Sequence, residues 1–289
     1  DAVVVASPNF THKSVLEDVF QTSLPVLVEK PMCTTVEDCI TIVEAQKKRS
    51  AITWVGLEYR YMAPIAELVR QVHSGAIGDL KMLAIREHRF PFLVKVDNWN
   101  RFSKNTGGTL VEKCCHFFDL MNLVVGSRPV RVMASGGQDV NHLDEIYNGE
   151  RSDILDNAYV VVEYDNGVRT MLDLSMFAEG SRNEQEICAV GTTGKAEAFV
   201  PGDGRVLLSD RKSRSVRDIE VGIDPDIAHV GFHFGASFLE CKKFVDAVVS
   251  GSSPAVTVED GLWSVVVGAA AHRSIDERRS VDISEFGLT

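Results

Sequence analysis

The sequence predicts an α/β plus α+β fold, in which half of a doubly wound parallel sheet is followed by an open, largely antiparallel sheet with flanking helices. In the first 58 residues, short apolar runs alternate with helical stretches, which is typical of a parallel sheet with crossover helices. After residue 58, strand-like runs follow one another through turn sequences. We therefore place the boundary between two units at residues 1–58 and 59–289.

The first unit is expected to contain three buried strands joined by two helices. The strands are apolar runs at 1–6, 24–28 and 51–55, which have the continuous hydrophobicity of strands buried on both faces. An amphipathic helix is expected at about 13–21. A second helix should begin after Thr34 or Thr35, because each is followed three residues later by an acid, as in a capping box. Right-handed crossovers make this unit the C-terminal half of a Rossmann-type sheet.

The start of such a sheet is expected to be missing. A complete sheet of this type carries G-x-G-x-x-G in its first βα turn and an acid about twenty residues later. Neither occurs near the start of this chain. We therefore expect two upstream βα units to be absent, and expect the chain as given to bind a dinucleotide weakly or not at all.

The second unit is expected to be rich in strands. A helix is expected at 63–73, and two closing helices at 236–250 and 258–276. Turn sequences at 165–167 and 191–194 have the composition of hairpin loops. The strands are expected at 80–89, 129–135, 158–164, 168–175, 186–190, 195–200 and 206–208. Their density predicts a largely antiparallel sheet.

Composition excludes several classes of protein. The net charge of −11 argues against nucleic acid or an anionic membrane as a partner. No apolar run reaches the roughly 18 residues that span a bilayer, and no signal-like segment occurs at the start. The six cysteines lack CxxC spacing, so we expect no metal site and a reducing cytoplasmic location.

Two segments carry the chemistry. Glu29-Lys30-Pro31 follows the second buried strand directly, where side chains point into the crevice in which open α/β sheets bind ligands. The segment 107–119 begins with two glycines and places Glu112, His116 and Asp119 at helical spacing. We expect three ionisable groups of these segments, those of Lys30, Glu112 and His116, to converge at the junction of the two units.

This set of groups suits the oxidation of a secondary alcohol. A base with a pKa near 7 accelerates loss of the hydroxyl proton by roughly 10²–10⁴-fold. Glu112 and His116 are four residues apart and are expected on one helical face, where the carboxylate orients the imidazole or raises its pKa. Lys30 is expected to stabilise a developing alkoxide. The alternative interpretation is that both residues are structural, with His116 in the core and Asp119 forming a hydrogen bond beside the helix.

The two segments resemble the glucose–fructose oxidoreductase / inositol dehydrogenase family (Gfo/Idh/MocA). The resemblance covers nearly the whole chain, and its order and spacing are specific. It includes residues 6–9 with His12, 29–31, 75–78, 107–119 and 259–261. It implies a partial dinucleotide-binding domain at 1–58, a substrate-binding and oligomerisation domain at 59–289, NAD or NADP as cofactor, and a sugar, inositol or related polyol as substrate.

The resemblance also implies roles for individual residues. Lys30 matches the lysine that contacts the substrate hydroxyl and the nicotinamide, and His116 matches the histidine that exchanges the proton. Glu112, the third residue with an implied catalytic role, stands where relatives commonly carry aspartate, and Cys114 stands where many carry glycine. The expected cofactor-binding residues are Ser7, Pro8, Asn9, His12, Glu29, Lys30 and Pro31. The expected substrate-binding residues are Asp119, Lys113 and Trp99.

Alternatives remain open at this point. The chain could be an NAD-dependent glycosidase on the same scaffold, or a non-catalytic oligomeric protein that has lost its nucleotide-binding half. The loops at 90–105 and 139–153 are expected to set substrate specificity. Four further histidines are expected to be structural or to face the substrate: His88, His142, His229 and His233. A homodimer or homotetramer is expected, because the sheet carries more apolar residues than helices on one face would cover.

Overall fold

The computed structural model describes residues 1–222, 224–225, 227, 231 and 233–288; His229 therefore lies outside the described residues. The first unit is a parallel sheet in the order β1–β2–β3. Its strands are β1 (Val3–Val5), β2 (Val26–Glu29) and β3 (Thr53–Gly56). Two crossover helices, α1 (His12–Val19) and α2 (Val36–Gln46), connect them.

Local sequence explains where α2 begins. Thr35 is in an extended conformation, and its hydroxyl accepts a hydrogen bond of 3.2 Å from the backbone N–H of Asp38. This bond satisfies one of the amide groups that have no partner within the helix. Of the two predicted capping pairs, the pair that begins at Thr35 is therefore the one that caps the helix.

The second unit is a nine-stranded mixed sheet flanked by helices. After β3 the chain forms α3 (Ala63–His73) and then β4 (Leu80–His88). Three helical segments follow: α4 (Ser103–Thr106), α5 (Thr109–Glu112) and α6 (Cys115–Val125). The remaining elements are β5 (Pro129–Gly137), β6 (Ile146–Tyr147), β7 (Glu150–Arg151), β8 (Asn157–Tyr164), β9 (Arg169–Ser175), β10 (Gln185–Gly191), β11 (Gly194–Val200), β12 (Arg205–Asp210), β13 (Val216–Glu220), α7 (Ala236–Ser250), α8 (Val258–Glu277) and β14 (Val281–Asp282).

The sheet order in the described residues is β13-β12-β11-β10-β4-β9-β8-β5-β14, while β6 and β7 form a separate hairpin. β4 and β9 pair in parallel, and the other neighbouring strands of this sheet pair antiparallel in the described residues. The predicted fold class is therefore confirmed. The sequence did not predict β13, β14 or the β6–β7 hairpin.

One face of the large sheet is buried and the other carries exposed apolar side chains. Along β8, Ala158, Val160 and Val162 are buried, whereas Tyr159 between them is 61 % exposed. This alternation follows from the two-residue period of a strand. The exposed face also carries Met82, Met133 and Met171.

Helix α8 connects the two units. It packs against α2 and β3 of the first unit and against α5, α6 and β5 of the second. A methyl group added at Gly268 would lie 2.4 Å from the carbonyl oxygen of Leu110, so only glycine allows this approach to α5. No helix in the described part of the chain is long and apolar enough to cross a membrane.

Candidate active site

The site lies where β2 and β3 end against the α5–α6 segment. Lys30 follows the last residue of β2, and its Nζ donates a 2.9 Å hydrogen bond to the backbone carbonyl of Glu112. The peptide bond between Lys30 and Pro31 is cis. The structure thus brings together the two segments that the sequence separates by 82 positions.

Two glycines shape the segment that carries the histidine. Gly107 and Gly108 have φ of +78° and +85°, a conformation that other residues rarely adopt. A methyl group on Gly107 would also lie 2.5 Å from the carbonyl oxygen of Thr34. The pair ends α4 and starts α5, whose first turn is held by a 3.1 Å bond from the N–H of Leu110 to His272.

The predicted single helix through Glu112 and His116 is wrong in detail. α5 ends at Glu112 and α6 begins at Cys115. The N–H of Cys114 bonds at 3.3 Å to the carbonyl of Thr109, five residues earlier, which interrupts the regular pattern. The interruption leaves the Glu112 carbonyl available, and Lys30 uses it.

His116 is buried, and its surroundings favour the uncharged form of its imidazole. Its imidazole stacks on the ring of Tyr59, with centroids 3.9 Å apart and planes 5° from parallel. Burial lowers the pKa of His116 well below its usual 6.5, and the nearby cations Lys30 and Lys113 add to this effect. The net shift is therefore opposite to the rise that a neighbouring carboxylate was expected to cause, because burial outweighs any effect of Glu112.

Glu112 does not orient the imidazole. Among the described residues, neither His116 Nδ1 nor Glu112 Oε2 has a hydrogen-bond partner. Burial raises the pKa of the Glu112 carboxyl, although Lys30 and Lys95 act in the opposite direction. The Glu112 oxygen is a buried polar atom that a bound hydroxyl could satisfy.

A charged network lies behind the stacked ring. Lys113 Nζ donates to the hydroxyl of Tyr59 at 2.7 Å and forms an ion pair of 2.9 Å with Glu87 Oε1. Glu87 is fully buried on β4, and its second oxygen has no partner among the described residues. Lys113 thus lies beside the histidine, but its ammonium group is already bonded to protein groups.

The loop after β1 lies at the edge of the parallel sheet where ligands of open α/β sheets bind. The residues 7–9 and 29–31 follow the parallel strands β1 and β2, whose carboxyl ends meet at one edge of the sheet. Asn9 is buried, and its amide Nδ2 has no partner in the described residues, so it can donate to a bound group. Burial raises the pKa of Glu29.

His12 braces this loop from behind. Its Nδ1 lies 2.8 Å from the carbonyl oxygen of Pro31 and its Nε2 lies 2.9 Å from that of Ser7. Burial lowers the pKa of His12, which opposes the effect of the two carbonyls. With both nitrogens engaged, His12 joins the loops after β1 and β2, and its predicted contact with cofactor remains a prediction.

The predicted substrate residues have different surroundings. Asp119 is buried, and both of its oxygens bond to the guanidinium of Arg60, including a 2.6 Å bond from Nε. Its carboxylate is therefore occupied by a protein partner. Trp99 lies edge-on to Phe10, with centroids 6.3 Å apart, which places it against the loop after β1.

The two loops expected to set specificity are joined. Arg101 donates a 2.7 Å bond to Glu145, and the N–H of Ser103 donates a 2.6 Å bond to Asp153. Loop 90–105 is thereby fixed against loop 139–153. His142 also bonds to Glu145 at 2.9 Å, and His88 bonds to Asp173 at 3.1 Å, so both histidines have protein partners.

Sequence reasoning did not assign Glu58, Tyr59 or Glu87 to the site. His233 Nδ1 lies 2.5 Å from Glu58 Oε1, and its ring contacts Tyr59 edge-on at 5.4 Å. Glu58 and Tyr59 lie just beyond the end of β3. The rule that placed Lys30 at the carboxyl end of a strand could have identified them.

Comparison with known proteins agrees with this geometry. Residues 1–57 match the NAD-binding Rossmann fold of an oxidoreductase family, and residues 69–283 match its C-terminal alpha/beta domain. The chain is 29 % identical to myo-inositol 2-dehydrogenase of Thermotoga maritima over 99 % of this chain and 80 % of that protein. It is 25 % identical to scyllo-inositol 2-dehydrogenase (NAD(+)) of Bacillus subtilis, over 95 % of this chain and 75 % of that protein.

Solved structures show the same fold. A probable dehydrogenase from Thermotoga maritima superposes with a TM-score of 0.79 at 27 % identity, over 99 % of this chain and 81 % of that chain. Levoglucosan dehydrogenase, in complex with NADH and levoglucosan, superposes with a TM-score of 0.85 at 18 % identity, over 97 % of this chain and 80 % of that chain. Because the family models match most of its length, the chain belongs to the Gfo/Idh/MocA family of oxidoreductases.

Proposed function

We propose that the protein oxidises or reduces a sugar, inositol or related polyol with NAD or NADP. The observation that carries the proposal is the convergence of Lys30 with the segment of Glu112 and His116, through the 2.9 Å bond from Lys30 Nζ to the Glu112 carbonyl. This convergence places a cation and an imidazole at one edge of the parallel sheet, where ligands of open α/β sheets bind.

His116 and Lys30 have different roles in alcohol oxidation. The lowered pKa of His116 keeps its imidazole neutral at pH 7, so it can accept the hydroxyl proton. The Lys30 ammonium stabilises the negative charge that develops on the substrate oxygen. In the reduction direction, His116 returns the proton. A nicotinamide held near Asn9 supplies the hydride chemistry when it is bound.

The relatives support this substrate class. Curated relatives that match nearly the whole chain include inositol dehydrogenases from three bacteria. A protein of the same fold, levoglucosan dehydrogenase, is in complex with NADH and levoglucosan. The unpaired acceptor Oε2 of Glu112 suits a hydroxyl group of a polyol. Nothing in the described site favours the glycosidase or the non-catalytic alternative.

Substitution at the site tests the proposal. The native protein is assayed by NAD(P)H absorbance with a panel of inositols and aldoses. Lys30→Ala and His116→Ala should each lower kcat/KM by roughly 10²–10⁴-fold with the fold intact. The exposed residues Lys81 and His73 provide matched controls, since Lys81→Ala and His73→Ala should leave turnover unchanged. Near-normal kcat in either site variant would overturn the assignment.

Two further properties are part of the proposal. The exposed apolar face of the sheet, with Met82, Met133, Tyr159 and Met171, supports a homodimer or homotetramer. We also propose a cytoplasmic location, because six free cysteines without disulfide pairing in the described structure suit a reducing compartment.

A further inference from the structure

Tyr59 is the aromatic partner of His116. Their rings are 3.9 Å apart and nearly parallel, which is full face-to-face contact. The Tyr59 ring is 1 % exposed, and Phe117 contacts it edge-on at 5.7 Å. His116 therefore has one complete face fixed by a ring that is itself enclosed.

The hydroxyl of Tyr59 is tied to the sheet. Lys113 donates to it at 2.7 Å and is held in turn by the 2.9 Å ion pair with Glu87. Lys113 is 5 % exposed and Glu87 is 0 % exposed, so solvent competes little for either bond. This chain of contacts runs from β4 to the face of His116 and leaves the Tyr59 ring little freedom to tilt.

His116 has no orienting hydrogen bond of the usual kind. In many proteins the nitrogen of a histidine that is not reacting is bonded to a carboxylate or a carbonyl, which fixes the ring. Here Nδ1 is buried and has no partner among the described residues. Packing must therefore fix the plane of the ring, and Tyr59 supplies the largest parallel contact.

We propose that Tyr59 is the positioning residue of His116, and that its hydroxyl bond to Lys113, braced by Glu87, sets the plane in which the imidazole meets the substrate hydroxyl. This inference rests on the proposed function for the proton transfer by His116. Tyr59 acts through the histidine and does not itself exchange the proton, because burial raises the pKa of its phenol well above 10.

Two variants and two readouts test the proposal. Tyr59→Phe keeps the stacked ring and removes the hydroxyl bond, while Tyr59→Leu removes both. Tyr61→Leu is the matched control, since Tyr61 stacks on Trp54 instead, with centroids 6.4 Å apart. The first readout is the NMR signal of His116 in protein with ¹³C-labelled histidine, identified by its loss in His116→Gln. The second is the separate measurement of kcat and KM with the best substrate of the polyol panel.

The stacked ring should shift the His116 proton signal upfield. We expect this shift to persist in Tyr59→Phe and in Tyr61→Leu, and to vanish in Tyr59→Leu. We expect kcat to fall by about 10²-fold in Tyr59→Leu with KM little changed, as for a misplaced reacting group, and to fall less in Tyr59→Phe. A folded Tyr59→Leu is verified by its unfolding midpoint.

The outcomes separate this inference from the proposed function. An unchanged His116 signal or an unchanged kcat in Tyr59→Leu would each overturn the positioning role, and an unchanged kcat in Tyr59→Phe would overturn the role of the hydroxyl bond to Lys113. If the wild-type protein turns over no polyol, the proposed function fails, and the NMR signal alone then decides whether Tyr59 orders the imidazole.

Discussion

Removing the carboxylate of Asp119 should strongly destabilise the protein. Asp119 lies on α6, and both of its oxygens bond to Arg60, which follows β3. The side chains of Asp119 and Arg60 are 2 % and 9 % exposed. Arg60 also bonds to the Ala255 carbonyl at 3.1 Å and approaches Asp260 at 3.1 Å. The pair therefore joins three parts of the chain around one guanidinium.

The size of the effect follows from burial. Removing one partner of a buried ion pair leaves the other charge uncompensated, which costs roughly 3–5 kcal/mol. Since Asp260 stays close to Arg60 in Asp119→Ala, we expect the lower end of this range, about 3 kcal/mol. Replacing both partners in Arg60→Met/Asp119→Leu should cost less than the single change, because no buried charge is then left alone.

Urea unfolding followed by tryptophan fluorescence measures these free energies. The matched control is the pair of Arg131 and Glu163, which are joined at 2.9 Å but are 47 % and 27 % exposed. Glu163→Ala should cost at most about 1 kcal/mol, as exposed pairs do. The reasoning is refuted if Asp119→Ala costs no more than Glu163→Ala.

A further variant of Asp119 separates a structural role from substrate binding. The sequence predicted that Asp119 binds substrate, whereas its oxygens are both bonded to Arg60. We expect Asp119→Asn to lower stability while leaving KM for the polyol unchanged. A raised KM with normal stability would instead support the substrate-binding role.

Other expectations follow from the pKa of His116, the packing of α8 and the exposed apolar face of the large sheet. Folding lowers the pKa of His116 below 6.5, so as the pH falls the unfolded chain binds this proton before the folded chain does. The free energy of unfolding should therefore fall as the pH drops below about 6.5, by at most about 1.4 kcal/mol per pH unit for this residue. His116→Gln should reduce that slope in urea titrations at several pH values. Activity should not be lost at pH 6.5, because the imidazole is still neutral there. Gly268→Ala should lower both the unfolding midpoint and kcat, since its methyl group would meet the Leu110 carbonyl at 2.4 Å; Gly180→Ala, which meets nothing within 4 Å, is the control. Light scattering should report a dimer or tetramer, and a concentration-independent mass near 31.8 kDa would exclude it.

Much of the fold could be predicted because its signals are local. The strands β1 and β2 are runs dominated by Val and Leu, and α3 has the predicted bounds Ala63–His73. The prediction that β1 is buried on both faces is wrong, since Val4 is 63 % exposed. β13 could not be found in this way, since Val216–Glu220 is an edge strand with little burial and mostly polar residues. β14 has two residues, too few for a periodicity.

The candidate site was predictable in part. The end of a buried strand located Lys30, and helical spacing located Glu112 and His116. The break between α5 and α6 was not predictable, because the Glu112 carbonyl at the break bonds to Lys30, which is 82 positions away in the sequence. The contact of Tyr59 with His116 was missed for the same reason, since the two rings are far apart in sequence.

The direction of the His116 pKa shows why spacing alone misleads. A glutamate four residues before a histidine predicts an ion-pair effect that raises the pKa. In the folded chain, burial outweighs any such effect, and Lys30 and Lys113 further disfavour a charged imidazole. Burial and two cations therefore favour the neutral imidazole, whose Nδ1 has no carboxylate partner in the described residues. Since Nδ1 has no hydrogen bond within the described part of the chain, we expect proton transfer to depend on the packing around the imidazole ring rather than on Glu112.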